Sequence, residues 1–182
     1  MKTLLLKYKS VIIFILTFLM VYVGFSFLYN WYLSVSETLN YYPDYITHLV
    51  AKQTEQLLAT LGYNVQMLPH PNELSIKVIL NGRYLARIIE GCNAISVIIL
   101  FVSFVIAFSG KLKTTLVFLL AGSVLIYIVN LLRIVLLSIG LYHYPEYEHV
   151  LHTVIFPAII YGMVFLLWVF WVNRFSKTNT HV

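Results

Sequence analysis

Charge is what this sequence lacks most. Asp, Glu, Lys and Arg make up 10% of its 182 residues, where a soluble domain carries roughly 25%. Hydrophobic residues fill 60% of it, against about 45–50% in a water-soluble protein, so the chain reads as a polytopic membrane protein. Acidic residues are scarcer than basic ones, seven against twelve, for a formal net charge of +5. The basic residues flank apolar runs instead of clustering on one face, so nucleic acid is not implied as a partner. Cysteine is nearly absent: Cys92 stands alone, which excludes an internal disulfide and a thiolate metal site. There is no His-Glu-x-x-His motif, and Glu148, His149 and His152 find no third ligand. No metal or cofactor is expected.

What the sequence does have is four apolar runs, each near the roughly 20 residues that a bilayer requires. The spacing predicts spans over 11–29, 92–110, 114–142 and 153–173. The first could be read as a secretory signal, since Lys2, Lys7 and Lys9 precede it, but it exceeds a typical apolar h-region and runs on through Phe25 to Tyr29 without a small-residue cleavage site. It is read as retained. Placing both termini in the cytoplasm puts Lys2, Lys7, Lys9, Lys111, Lys113, Arg174 and Lys177 inside with no acid among them. All seven acids then fall on the far side, as the retention of Lys and Arg in cytoplasmic segments expects. Residues 1–10 and 174–182 are thus a cytoplasmic N-terminus and tail, 111–113 a cytoplasmic loop and 143–152 an outer loop. The expected setting is the inner membrane of a bacterium.

Residues 30–91 form the largest segment outside the spans. Ile46, Leu49, Val50, Leu57, Leu58 and Leu61 recur at helical spacing and stop at Gly62. Two apolar runs, 74–80 and 83–89, then flank Asn81-Gly82, a hairpin signal. The expected fold class is therefore a membrane all-α protein of four transmembrane helices with a small extracytoplasmic α+β insert, a helix plus a β-hairpin. The insert is too small for much core of its own and is expected to rest on the membrane part.

Three reactive groups fall at one depth. Cys92 lies 19 residues before Lys111 and Arg133 lies 19 after Thr114, about 28 Å from the inner edge of each helix at 1.5 Å per residue. His152, 22 residues before Arg174, reaches about 33 Å by the same count. A lone cysteine or a histidine at a helix end has an ordinary structural explanation. An arginine among Leu131, Leu132, Ile134 and Val135 is costly in lipid and marks a functional site. Asn130, about one turn earlier, shares its face and is expected to orient it. A thiol, an imidazole and a fixed cation suit thiol acyl transfer: the thiolate attacks a carbonyl, the imidazole moves protons and the cation holds the oxyanion. His152 is the expected base, being nearest the depth of Cys92 and Arg133; His149 is the alternate. Pro157 leaves open that both histidines lie in a loop before the helix.

Three segments carry a resemblance. Ile89-Glu90-Gly91-Cys92-Asn93-Ala94-Ile95, Asn130-Leu131-Leu132-Arg133-Ile134, and His149 or His152 ahead of a last span containing Gly162 resemble the Cys, Arg and His blocks of the exosortase and archaeosortase family. The likeness covers roughly 75–172 and is nearest the exosortase F branch. It departs at Asn93-Ala94, where the family commonly has Ser-Gly, and in span number, many exosortases having about eight. The resemblance implies an integral-membrane cysteine transpeptidase with Cys92, Arg133 and His152 as catalytic residues and Asn130, Glu90 and Asn93 in support. Its partners would be membrane lipid and exported proteins bearing a C-terminal tail of sorting motif, transmembrane helix and basic cluster. The competing expectation is a non-enzymatic assembly or scaffold protein in which Arg133 pairs with Glu90. A transporter is disfavoured, with one charge inside the spans and no broken helix near mid-membrane.

Overall fold

The computed structural model describes residues 8–36, 43–108 and 110–174. Helix α1 (Lys9–Ser36) is followed by α2 (Tyr45–Thr60) and strands β1 (Val65–Pro69), β2 (Ile76–Leu80) and β3 (Arg83–Ile88). A 3-10 turn (Glu90–Cys92) leads into α3 (Ile95–Ala107) and then α4 (Leu112–His143). The chain closes with a 3-10 turn (Pro145–Tyr147), one α turn (Glu148–Val150), a π-helical segment (Leu151–Ile155) and α5 (Phe156–Arg174).

The protein is mostly helical, and three of its segments are long and apolar enough to cross a membrane: α1, α4 and the helical run Pro145–Arg174. The expected span over 92–110 is shorter than the sequence suggests. Its helix, α3, has 13 residues, about 20 Å of rise against a hydrocarbon core of about 30 Å. Backbone conformation sets both ends: Ala94 adopts a left-handed φ of 68° before the first turn, and Phe108 is extended after the last. The count of 1.5 Å per residue from Lys111 up to Cys92 therefore holds only across α3.

The fourth apolar run differs in the other direction. Helical backbone begins at Pro145, so 145–152 is helical where a loop is expected. Pro145 occupies the first position of its turn, where a proline's missing N–H costs nothing and its φ is already helical. Pro157 is the second residue of α5 and lies within the helical run. The missing N–H of Pro157 removes a regular i→i−4 bond at Thr153, inside the π segment that carries His152.

Between α1 and α3 lie one helix and one small sheet. Asp44 starts α2 by accepting the N–H groups of Ile46 (2.9 Å) and Thr47 (3.0 Å) on Oδ1, the usual role of an N-cap carboxylate. Gly62, at φ 89°, ends it. Strands β2 and β3 pair antiparallel across Asn81-Gly82, both with positive φ (49° and 79°), as a two-residue type I′ hairpin requires. Strand β1, which the hairpin signal does not announce, pairs antiparallel with β2, giving the order β1-β2-β3.

This layer rests on the C-terminal half of α4. Val50, Ala51, Ile76, Val78 and Ile88 pack with Ile134, and Leu58 and Leu80 with Val135. Tyr127 of α4 donates its hydroxyl to Gln53 Oε1 at 2.6 Å. In the helical layer α3 lies against α1, α4 and α5, and Phe101 and Val105 pack with Ile126, Val164 and Trp171. The close point is Gly122 of α4, where an added Cβ would clash with the far edge of the Phe101 ring. Small residues allow such approach between membrane helices. Gly122→Ala is expected to destabilise the protein by about 1–3 kcal/mol, read as loss of thermal stability in detergent, and Phe101→Leu in the same chain should restore part of it.

Candidate active site

Cys92 closes the 3-10 turn that follows β3, and two features hold that turn. Its own N–H donates to the Ile89 carbonyl at 2.8 Å. Asn130 of α4 donates its side-chain amide to the Cys92 carbonyl at 2.6 Å. The sequence expects Asn130 to orient Arg133; its amide ties α4 to the backbone of the cysteine. Asn93, fully buried, is a second tie: its amide donates to Tyr29 Oη of α1 (2.8 Å) and Thr47 Oγ1 of α2 (3.1 Å), while its Oδ1 accepts the N–H of Ile95 (3.0 Å). One side chain thus fixes α1, α2 and the start of α3 beside the thiol, which itself packs at the edge of the Val50, Ile76 and Ile88 cluster.

Ala94 occupies the position at which the family resemblance expects glycine, and its φ of 68° shows what that position asks for. An L-residue there costs about 1–2 kcal/mol. Ala94→Gly relieves that strain but removes a buried methyl worth about 0.8 kcal/mol, so stability is expected to change by less than about 1 kcal/mol. Ala94→Val places a branched Cβ in the same conformation within a buried site and should cost about 2–3 kcal/mol. Thermal unfolding of the two variants in detergent separates these outcomes.

Cys92, Arg133 and His152 line one cavity of about 380 Å³. They reach it from three separated parts of the chain: the turn after β3, the C-terminal half of α4 and the π segment before α5. The remaining walls are residues 84–89, Val78 of β2, Ile134, Leu137, Ser138 and Leu141 of α4, and Glu148. Arg133 is half-buried, and its Nε is a buried donor with no hydrogen-bond partner among the described residues. A buried donor left unpaired costs about 1–3 kcal/mol, and here it lies on a residue that lines the cavity.

The other expected site residues lie apart. His149 is exposed and is not part of the cavity wall. Glu90, two residues from Cys92, is also exposed; it lines a different cavity with Leu33, Pro43, Asp44 and Leu74 and forms no ion pair with Arg133. Glu148 is the wall residue that sequence reasoning missed as part of the site. It lies four residues before His152, a helical-neighbour spacing within the helical run that begins at Pro145. Among the described residues no group of His, Cys, Asp and Glu could hold a metal ion.

No curated protein and no solved structure matches the chain. The family model described as transmembrane exosortase matches residues 4–173, nearly the whole of the 182, so the protein belongs to the transmembrane exosortase family.

Proposed function

We propose that this protein cleaves the C-terminal sorting tails of exported proteins by thiol acyl transfer at the outer membrane-water interface. His152 takes the proton of Cys92, and the thiolate attacks the carbonyl carbon of the scissile bond. Arg133 receives the oxyanion. Collapse breaks the C–N bond as His152 returns the proton to the leaving amine, and the acyl group remains as a thioester on Cys92 until an acceptor nucleophile displaces it.

The observation that carries this reading is that Cys92, Arg133 and His152 line one cavity. The unpaired Arg133 Nε supports the role given to it, since it is a donor held away from water without an acceptor. The start of α3 contributes as well: Cys92 precedes its first residue, Ile95, by three positions, and a helix N-terminus favours a nearby anion. The scaffold reading required an Arg133–Glu90 pair, and Glu90 faces another cavity.

In this proposal α1, α3, α4 and the run 145–174 are the four spans, α3 crossing with the help of the non-helical residues at its ends. Both termini are cytoplasmic, the helix and sheet of 43–91 cover the exported side, and the membrane is a bacterial inner membrane. Within the family the chain is placed nearest the F branch. The substrate's own transmembrane tail lies beside these helices, which is why the reactive groups belong at the interface and not in water.

The choice of base gives the test. With a tailed exported substrate expressed alongside the enzyme, His152→Ala is expected to abolish tail removal, and His149→Ala to leave most of it. Loss in His149→Ala alone moves the base to His149 and contradicts the role given to His152. Undiminished cleavage in the double variant removes both histidines from the mechanism.

A further inference from the structure

Strand β3 is an edge strand, since the sheet order is β1-β2-β3, and its two neighbourhoods are unlike. On the far side of the sheet, the edge of β1 is covered: Met67 N–H donates to Glu55 Oε1 of α2 at 3.2 Å, and α2 packs along it. On the near side, beyond the pairing with β2, no backbone or side-chain group among the described residues bonds the main chain of 83–88. Residues 84–89 form one wall of the cavity that also holds Cys92, Arg133 and His152.

The chain stays extended through Ile89 and then turns once before the thiol. Ile89, at φ −111° and ψ 172°, continues the strand, and the turn that begins at Glu90 ends on Cys92. The ladder is irregular at one place: Val78 pairs with Ala86 and Ile79 with Tyr84, so Leu85 is an extra residue on β3. Such a bulge bends and twists the strand that carries it and is common beside active sites. An exposed edge offers a row of N–H and C=O groups to any extended chain that reaches it.

We propose that the free edge of β3 is the substrate-docking strand: an extended stretch of peptide on the acyl side of the cleaved bond adds to the sheet as a fourth strand, and its last carbonyl is thereby delivered to Cys92. This rests on the thiol-transfer reading above and adds to it how the substrate is held. Main-chain hydrogen bonds supply the affinity, as in other cases of strand addition, and the cavity walls beside β3 read alternate side chains. Because only every second residue of an edge-paired strand turns both its N–H and its C=O toward the sheet, recognition of the peptide backbone must alternate along the chain.

That alternation is the measurable consequence. The probe is acetyl-tetraalanyl chloromethyl ketone, whose alanine side chains offer little to read; the Cys92 thiolate displaces its chloride to form a thioether. Four further probes each carry one N-methyl group, on successive alanyl nitrogens, and chloroacetone presents the same reactive group with no peptide. The full-length wild-type protein in detergent is treated with each, and the rate of Cys92 alkylation is read by mass spectrometry. The tetraalanyl probe is expected to react about 10-fold or more faster than chloroacetone, as two or three main-chain hydrogen bonds provide. N-methylation at alternate positions should lower the rate by about 5-fold or more, the share of one main-chain hydrogen bond, and at the intervening positions change it by no more than about 2-fold. Equal rates for all four methylated probes and the parent, or an equal loss at every position, overturn the docking strand while leaving the thiol reading intact. A Cys92 that neither the peptide nor chloroacetone alkylates overturns the thiol reading and the docking strand together.

Discussion

Cys92→Ala is expected to lower tail removal by about 10³-fold or more, because Cys92 is the one cysteine of the sequence and supplies the thiol on which the acyl intermediate forms. The fold should survive the change. The thiol packs at the margin of the Val50, Ile76 and Ile88 cluster, so its loss costs about 1 kcal/mol, and the ties that hold the turn run through the Cys92 backbone and through Asn93. Cys92→Ser keeps those ties and nearly the same volume, yet a hydroxyl is a far weaker nucleophile than a thiolate, so it should be as inactive as the alanine variant. Immunoblotting of a tailed substrate, with membrane levels of the enzyme measured alongside, reads both quantities. Normal processing by Cys92→Ala contradicts the thiol mechanism.

Arg133→Lys is the second large effect, a loss of about 10²–10³-fold at near-normal membrane levels, the scale of removing one oxyanion donor. Lysine keeps the charge but has neither the Nε donor nor the planar fork, and it is Nε that lies buried without a partner. Glu90→Gln supplies the contrast. Glu90 is exposed beside Asp44 and Leu33, away from this cavity, so its neutralisation should leave cleavage nearly unchanged. A folded, fully active Arg133→Lys shows that charge alone suffices and removes the geometric role.

How much of this was legible in the sequence depends on whether side-chain pattern or backbone conformation decided the outcome. The helix over 45–60 was readable because its apolar residues recur at helical spacing, and the β2–β3 turn because Asn81-Gly82 suits two positive φ angles. Strand β1 was missed: it has five residues, ends in Pro69, and alternates only Val65 and Met67 toward the sheet's partly covered side. The length of α3 was not readable at all, since apolarity continues past both of its ends and nothing in an alanine announces a left-handed φ at position 94. The candidate site was legible as three residue types, less so as a constellation. Depth counting along ideal helices brought Cys92, Arg133 and His152 to one level, and all three line one cavity, although α3 is shorter than that count assumed and a π segment interrupts the last helix. The role of Asn130 turned on which backbone group its amide meets, which no spacing rule gives. Glu148 was obscured by treating 143–152 as a loop. The signal was present: Pro145 at a helix start, followed by Glu146 and Glu148 in the first turns, is an N-terminal signature.

The measurement that bears most directly on the central claim is the mass of the Cys92 peptide during turnover. Membranes containing the enzyme and a tailed exported substrate are quenched in acid and digested, and the peptide spanning Glu90 to Asn93 is examined. The account predicts an adduct on Cys92 equal in mass to the acyl side of the cleaved substrate, released by neutral hydroxylamine as a thioester is, and absent when the substrate lacks its tail. Tail cleavage that proceeds with Cys92 unmodified throughout, and that continues in Cys92→Ala, would contradict it.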